Sequence, residues 1–184
     1  RRLQADIEQH RVLIGMMNSA SFAVRTPEEA RQLAVLVANA APDPDQAVLG
    51  LSELLLNGIE HGNLGLGYAD KTRLREQGTW ESEIERRLSL PEYSRRMVNL
   101  EFRRDGASVE ILITDEGDGF DWHPYLELDP VRAFHAHGRG IALARKLSFE
   151  SVEYLGKGNQ VLARLAPPKA AAPVPEPAPT KALA

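Results

Sequence analysis

The stretch that decides the fold is Glu53-Leu-Leu-Leu-Asn57-Gly-Ile-Glu-His61-Gly62-Asn63. On a helical period of about 3.6 residues, one face of this stretch is polar and the other is apolar. The polar face carries Glu53, Asn57, Glu60 and His61. The apolar face carries Leu51, Leu54, Leu55 and Ile59. We therefore predict a helix that docks through its leucines, with its polar face turned either to a site or to solvent.

The residues before this helix predict an edge strand and a second helix. Ser21-Phe-Ala-Val-Arg25 alternates in polarity as a short edge strand does. Thr26-Pro27-Glu28-Glu29 supplies an N-cap, a first-turn proline and first-turn acids, which predicts a helix to about Ala40. Two prolines then break that helix, and Asp45 is the expected cap of the helix that carries Asn57.

The residues after this helix predict two β-hairpins. The first pairs residues 98–102 with residues 109–113 across an Asp105-Gly106 turn. The second pairs Val152–Leu155 with Gln160–Leu165. Strands and helices in this order predict an α+β fold, a two-layer sandwich of a mixed sheet with helices on one face.

The chain divides into a central domain with added segments at both ends. We expect residues 1–20 to form an N-terminal linker or dimer helix, and residues 21–166 to form the domain. Residues 64–97 are an expected helical insertion within it. Residues 167–184 are almost entirely Ala, Pro and a few charges, which predicts a disordered tail because they offer little apolar bulk to bury.

The N-terminal segment carries a short heptad-like seam, made of Leu3, Ile7, His10, Ile14 and Met17. Two interpretations have equal weight: a homodimer formed through this helix, or a helix that packs on its own domain. The seam spans fewer than the ~3–4 heptads that argue for a coiled coil. An upstream receiver or sensor domain is compatible with the first interpretation.

The composition argues against several classes of partner. A net charge of -4 gives no basic field to attract nucleic acid or an anionic membrane. The absence of cysteine excludes a thiol nucleophile and a cysteine-ligated metal. No run approaches the roughly 18 apolar residues of a membrane span. We expect a cytoplasmic protein with no nucleic-acid or membrane partner.

Two further segments carry groups that suit a nucleotide. Asp115-Glu-Gly117-Asp-Gly119 follows a predicted strand, so its carboxylate can accept from a purine amino group while its glycines admit a close approach. His137-Gly138-Arg139-Gly140-Ile141 follows a long loop and opens a helix, whose N-terminal amides suit phosphate. Taken singly, a strand-ending turn and a helix cap explain these segments equally well.

In their order and spacing, the three segments resemble the N box and the two glycine boxes of the GHKL ATPases, the superfamily of DNA gyrase and histidine kinases. The resemblance covers about residues 20–165. Within the superfamily, the chain looks most similar to bacterial anti-sigma-factor serine kinases. The resemblance implies a Bergerat-type sandwich in which residues 120–137 form the ATP lid.

The resemblance also implies roles for the matching residues. Asn57 would bind Mg²⁺ through its amide oxygen, and Glu53 would be the general base. Asp115 would accept a hydrogen bond from the adenine amino group. The other expected ATP-binding residues would shape the purine pocket or cover the phosphates, and they are Gly117, Gly119, Gly138, Arg139, Gly140 and Ile141.

The function implied by the resemblance is that of an enzyme using ATP and Mg²⁺. The leading hypothesis is a serine/threonine protein kinase of the partner-switching kind, which phosphorylates a small antagonist protein or sequesters a sigma factor. One alternative is a nucleotide-sensing ATPase output module of a longer two-component-type signalling protein. Another is an anti-sigma binding domain with degenerate catalysis.

Three features depart from the family pattern. Residues 64–97 enlarge the connection after the N box, which suggests a surface for a partner or another domain. Gly156-Lys-Gly158-Asn159-Gln160 stands where the family often has Gly-Thr, so a hydroxyl contact near the nucleotide is replaced or lost. His10 is followed by Arg11 rather than by an acidic residue, which argues against a histidine-kinase dimerisation helix.

Overall fold

A computed structural model of the chain describes residues 12–123 and 148–165. In chain order its elements are β1 (Ser19–Val24), α1 (Pro27–Ala38), α2 (Pro44–Asn57), a π-helical turn (Gly58–Asn63), α3 (Tyr68–Glu76), α4 (Trp80–Ser89), β2 (Val98–Asp105), β3 (Ser108–Thr114), β4 (Ser151–Leu155) and β5 (Gln160–Leu165). No helix among the described residues is long and apolar enough to cross a membrane.

The strands form one five-stranded sheet in the order β1-β2-β3-β5-β4. The expected α+β sandwich is confirmed, but the sheet is antiparallel at every described pair rather than mixed. Two pairs are hairpins, which are antiparallel by geometry. The long connection after β1 returns the chain to the end of the sheet that it left, because Val24 at the end of β1 lies opposite Val98 at the start of β2.

The core lies between one face of the sheet and the helices. Alternation along β2 buries Val98, Leu100 and Phe102 and exposes the residues between them. The apolar faces of α1 and α2 join the same cluster. Its largest fully buried side chains are Phe102, Leu51, Leu54, Leu55, Ile59, Leu64, Leu66, Leu100 and Ile111. Burial of each leucine contributes roughly 1.5–3 kcal/mol, so the apolar face of α2 fixes where its polar face points.

Helix α1 starts with the predicted cap. The Thr26 side chain accepts the Glu29 amide at 3.2 Å, and the Glu29 carboxylate accepts the Thr26 amide at 3.0 Å. These reciprocal bonds satisfy amides that have no partner within the helix. The helix ends at Ala38, slightly earlier than expected.

Helix α2 starts two residues earlier than the sequence suggested. Asp43 is its cap, not Asp45, and the Asp43 carboxylate accepts the Gln46 amide at 3.2 Å. Pro44 takes the first helical position, where its missing N–H is no loss. Asp45 lies in the first turn, where its charge still favours the helix.

The insertion between the π turn and β2 packs into the domain. Its helix α4 buries Trp80 and Ile84 against the same core that α2 contacts. Lys71 and Arg75 of α3 lie over the Trp80 ring, at 5.4 and 5.8 Å from its centroid. Cations over an indole face are weakly attracted to it, so these contacts stabilise the packing of α3 against α4.

The described end of the N-terminal seam packs on the domain. Ile14 is 7% exposed and Met17 contacts the core cluster, while Val12, Leu13 and Met16 are exposed. The two innermost seam positions are therefore used within the chain. The earlier seam residues lie outside the described residues, and a homodimer through this helix stays a prediction.

Candidate nucleotide site

The site is built on the last turns of α2. Glu53 and Asn57 lie one turn apart and are both half-buried. Within residues 12–123 and 148–165, neither the Glu53 carboxylate nor the Asn57 amide makes a hydrogen bond or an ion pair. Both groups are therefore available to contact a ligand.

Helix α2 continues into the π turn without a break. The Leu64 amide donates to the Ile59 carbonyl at 2.9 Å, a five-residue step that widens the helix. Residues beyond Asn57 therefore leave the 3.6-residue period. Glu60, which we expected on the polar face, is instead 3% exposed and pairs with Lys71, whose Nζ lies 2.5 Å from Glu60 Oε2.

His61 is held by a backbone carbonyl. Its Nδ1 contacts the Leu66 carbonyl, and because a carbonyl can only accept, Nδ1 carries the proton. Burial lowers the pKa of His61, while the charges of Glu60 and Glu53 act in the opposite direction. His61 therefore has a hydrogen-bonding role within the chain.

The end of the π turn lies directly against the residues that follow β3. A Cβ at Gly62 would collide with the Asp115 carboxyl group, and a Cβ at Gly117 would collide with the Gly62 backbone. Only glycine at both positions permits this approach. The structure thus brings the N box and the first glycine segment into contact, as a shared site requires.

The backbone of Asp115 is fixed by a residue that sequence reasoning did not assign. The Asn159 side chain donates to the Asp115 carbonyl at 3.0 Å, and the Asp115 amide donates to the Asn159 carbonyl at 3.0 Å. Asn159 belongs to the segment that departs from the family's Gly-Thr pattern. The sequence did not mark Asn159 as a functional residue, because an asparagine among glycines is typical of any hairpin turn.

Burial makes the Asp115 carboxyl group harder to ionise than a solvent-exposed aspartate. Burial raises its pKa to about 6, against the effects of the Gly117 amide, which donates to Oδ1 at 2.8 Å, and of the positive charges of Lys157 and Arg96. At neutral pH the carboxylate is ionised, with one oxygen engaged by Gly117. Its remaining acceptor capacity suits an N–H donor such as a purine amino group.

Asn63 links the π turn to the Asp115 segment. It is 2% exposed, and its Oδ1 accepts the Glu116 amide at 2.7 Å. Sequence reasoning did not assign this role, because an asparagine just after Gly62 is equally well explained as a helix-ending residue.

The segment after Asp115 runs alongside the turn that joins β4 to β5. Gly119 has a φ of 81°, and a Cβ there would collide with the Lys157 carbonyl. The next amide, that of Phe120, donates to the same carbonyl at 3.1 Å. The two predicted pocket glycines, Gly117 and Gly119, therefore allow the chain to lie close to two other backbone segments.

An aromatic cluster that the sequence did not reveal lies beside these residues. Tyr154 of β4 meets Phe120 edge-on at 5.4 Å and stacks with Trp122 at 5.9 Å between ring centroids. Burial raises the pKa of Tyr154, and the charges of Glu53 and Asp115 add to this effect. Tyr154 is thus within electrostatic range of both carboxylates. In the sequence it could not be told from an ordinary core residue, because it occupies an inward-facing position of the alternating strand β4.

The second glycine segment is not tested by the structure. Gly138, Arg139, Gly140 and Ile141 lie outside the described residues, as does the expected lid beyond residue 123. Their phosphate-binding role stays a prediction.

The described side chains offer few groups for a metal held by protein alone. They include no group of three or more His, Cys, Asp or Glu residues placed to hold an ion. Mg²⁺ needs no such group when a nucleotide is present, because phosphate oxygens and water supply most of its ligands. The Asn57 amide oxygen is a ligand of the hard type that Mg²⁺ accepts.

Comparison with known proteins agrees with this geometry. Residues 3–165 match the family model of the histidine kinase-like ATPase domain, a span that includes every described element. No individual curated protein matches the chain. At the level of the family, the match implies binding of ATP with Mg²⁺ and an ATPase or kinase activity. The chain belongs to the histidine kinase-like ATPase domain family.

Proposed function

We propose that this chain is an ATP-Mg²⁺-dependent serine/threonine protein kinase of the anti-sigma-factor, partner-switching type, which phosphorylates a small antagonist protein. The observation that carries the proposal is the state of Glu53. This carboxylate is half-buried, lies one turn from Asn57 and has no protein partner among the described residues. Because no described protein group engages the carboxylate, its oxygens are available to accept a proton from a substrate hydroxyl.

Asn57 is the proposed protein ligand of Mg²⁺, through its amide oxygen. When bound, Mg²⁺ would neutralise charge on the phosphates of ATP. Because Asn57 and Glu53 project from the same side of one rigid helix, the base is held at a fixed distance from the phosphates.

Asp115 is the proposed adenine-recognition residue, accepting a hydrogen bond from the exocyclic amino group. Gly117 and Gly119 permit the close backbone approaches to Gly62 and Lys157 that would shape the wall of the purine pocket. Residues Gly138–Ile141 are the proposed cover of the phosphates, with Arg139 as a direct phosphate contact.

In the proposed reaction, Glu53 accepts the proton of the substrate serine hydroxyl as that oxygen bonds to the γ-phosphorus of ATP. The bond between the γ-phosphorus and the bridging oxygen breaks, and its electrons leave with ADP. The products are a phosphoserine on the antagonist protein, ADP and a protonated Glu53, which then releases its proton to water.

The test is transfer of label from γ-labelled ATP to candidate antagonist proteins by the wild-type chain and by Glu53→Gln. We expect the variant to bind ATP normally and to transfer label about 10²–10⁴ times more slowly, the usual contribution of a positioned base. Glu85→Gln, at an exposed position of α4, is the matched control and should behave as wild type. Transfer by Glu53→Gln at the wild-type rate would contradict the assignment.

The same assay separates the alternative functions. Release of inorganic phosphate without labelled protein would indicate a nucleotide-sensing ATPase. Absence of ATP binding in calorimetry with Mg²⁺ would indicate a binding domain with degenerate catalysis, whose partner is a sigma factor or an antagonist protein.

A further inference from the structure

The insertion, residues 64–97, reaches back to the π turn that it follows. Three of its cationic side chains contact the π turn or the residue immediately after it. The contacts are Lys71 Nζ to Glu60 Oε2 at 2.5 Å, Arg87 Nη1 to the Leu64 carbonyl at 2.6 Å, and Arg96 Nη1 to the Asn63 carbonyl at 2.9 Å. These contacts anchor the insertion to the π turn, so it is part of the domain's own packing and not only a surface for a partner.

The ion pair between Lys71 and Glu60 is the most buried of these contacts. The Lys71 and Glu60 side chains are 14% and 4% exposed. A carboxylate at this depth is strongly unfavourable without a cationic partner, so the position of Lys71 determines where Glu60 can lie. Glu60 comes three residues after Asn57 on a continuous helical path, and its placement constrains the orientation of that helix end.

The far end of the insertion holds the other half of the site. The Met97 amide donates to Glu116 Oε1 at 2.9 Å, and the Glu116 amide donates to Asn63 Oδ1 at 2.7 Å. Glu116 directly follows Asp115. The two ends of the insertion are therefore attached to the two segments that carry Asn57 and Asp115.

We propose that the insertion is an intramolecular clamp that sets the spacing between Asn57 and Asp115, and that Lys71 is its main positioning residue, acting through Glu60. The clamp rests on the proposed ATP site, because that site is what gives the spacing a functional meaning. A nucleotide that contacts Asp115 with its base and Asn57 through Mg²⁺ must span this distance.

The decisive variant is the double substitution K71M/E60M. It replaces a buried ion pair with apolar side chains of similar length, an exchange that is often neutral for stability. K71R retains a cation opposite Glu60. R75M is the matched control, because Arg75 also lies over the Trp80 ring and its substitution leaves the Lys71–Glu60 pair intact.

Calorimetry with ATP and Mg²⁺ gives the first readout. We expect K71M/E60M to unfold near the wild-type temperature and to bind ATP about tenfold more weakly, as loss of a supporting contact does at other sites. K71R and R75M should stay close to wild type. Wild-type affinity in the double variant would overturn the clamp.

Amide hydrogen exchange without nucleotide gives an independent readout. In K71M/E60M we expect faster exchange in residues 58–64 and at Glu116, with no change in β2 and β3. Unchanged exchange in residues 58–64 would overturn the clamp. If the wild-type chain does not bind ATP, the proposed function fails, and this measurement alone decides whether the clamp exists.

Discussion

The two halves of the candidate site differ in how much of their chemistry is engaged within the protein. On the helix side, Glu53 and Asn57 have no partner among the described residues. On the strand side, Asp115 is bonded by Gly117 and Asn159 and lies against the Gly62 backbone. The strand side is therefore organised before any ligand binds, whereas the helix side presents groups that a ligand would complete.

This difference matches the tasks that the two halves would have. Recognition of a base benefits from donors and acceptors that are already in place, because no ordering is then needed on binding. A general base and a Mg²⁺ ligand must instead remain accessible to the reacting groups. Substitutions can disrupt each half, or the contact between the two halves, separately.

The largest effect on ATP binding is expected from Asn57→Ala, which removes the proposed Mg²⁺ ligand. ATP binding in the presence of Mg²⁺ should weaken by about 10- to 100-fold, the usual result of altering a metal site. Binding of ADP in excess chelator should not change, because Asp115 is untouched. Paired calorimetric titrations with Mg²⁺ and with chelator measure both.

The control for this substitution is Asn99→Ala, at an exposed position of β2. It should leave both titrations unchanged. Equal losses for Asn57→Ala with and without Mg²⁺ would mean that Asn57 supports the fold of the pocket and does not bind the ion.

A smaller effect is expected from Gly62→Ala, which acts on the contact between the two halves. The added Cβ would collide with the Asp115 carboxyl group, so one segment must move. We expect a loss of stability of about 1–3 kcal/mol, as for other overpacked positions. ATP affinity should fall by about tenfold, because Asp115 would leave its position in the proposed purine site.

Gly67→Ala is the matched control, since a Cβ there would make only an ordinary contact with Asp70 at 3.6 Å. Chemical denaturation measures the stability of both variants, and calorimetry measures their ATP affinity. Together they separate the effect of the collision with Asp115 from a general effect of adding a methyl group. If Gly62→Ala were as stable and bound as tightly as Gly67→Ala, the two halves would not be in contact.

The helix side of the site was largely predictable from the sequence, and the strand side only in outline. Periodicity along α2 placed Glu53 and Asn57 together on one half-buried face, and strand alternation placed Asp115 at the end of β3. Helical periodicity placed Glu60 on the polar face, which is wrong. The π turn changes the number of residues per turn, and the apolar pattern does not reveal it.

The supporting contacts could not have been predicted, because they join residues far apart in the chain. Asn159 is bonded to Asp115, and Lys71 to Glu60, through positions that local propensity does not connect. Dependence on distant residues also explains why the strand directions in the sheet were not predicted. Alternation identified the strands, but the antiparallel arrangement of β1 with β2 depends on where the long helical connection returns.

The smallest effect concerns the protonation of Asp115 in the nucleotide-free protein. Its pKa is raised from 3.8 to about 6 by burial, so the folded state binds this proton more tightly than the unfolded state does. The stability gained from this proton is fully present below pH 3.8 and is lost as the pH rises through about 6. Above that pH, the fold contains a poorly solvated carboxylate.

Asp115→Asn removes this charge, and its amide oxygen can still accept the Gly117 amide. We expect the unfolding midpoint of the nucleotide-free variant to exceed that of wild type by about 2–4 °C at pH 8, the shift that roughly 1 kcal/mol produces at this size. The difference should shrink between pH 6 and pH 4, because wild-type Asp115 becomes neutral there. Thermal melts of both proteins across this range measure it. A difference that is independent of pH would show that burial of the Asp115 charge does not weaken the fold, and that the strand side is organised without electrostatic strain.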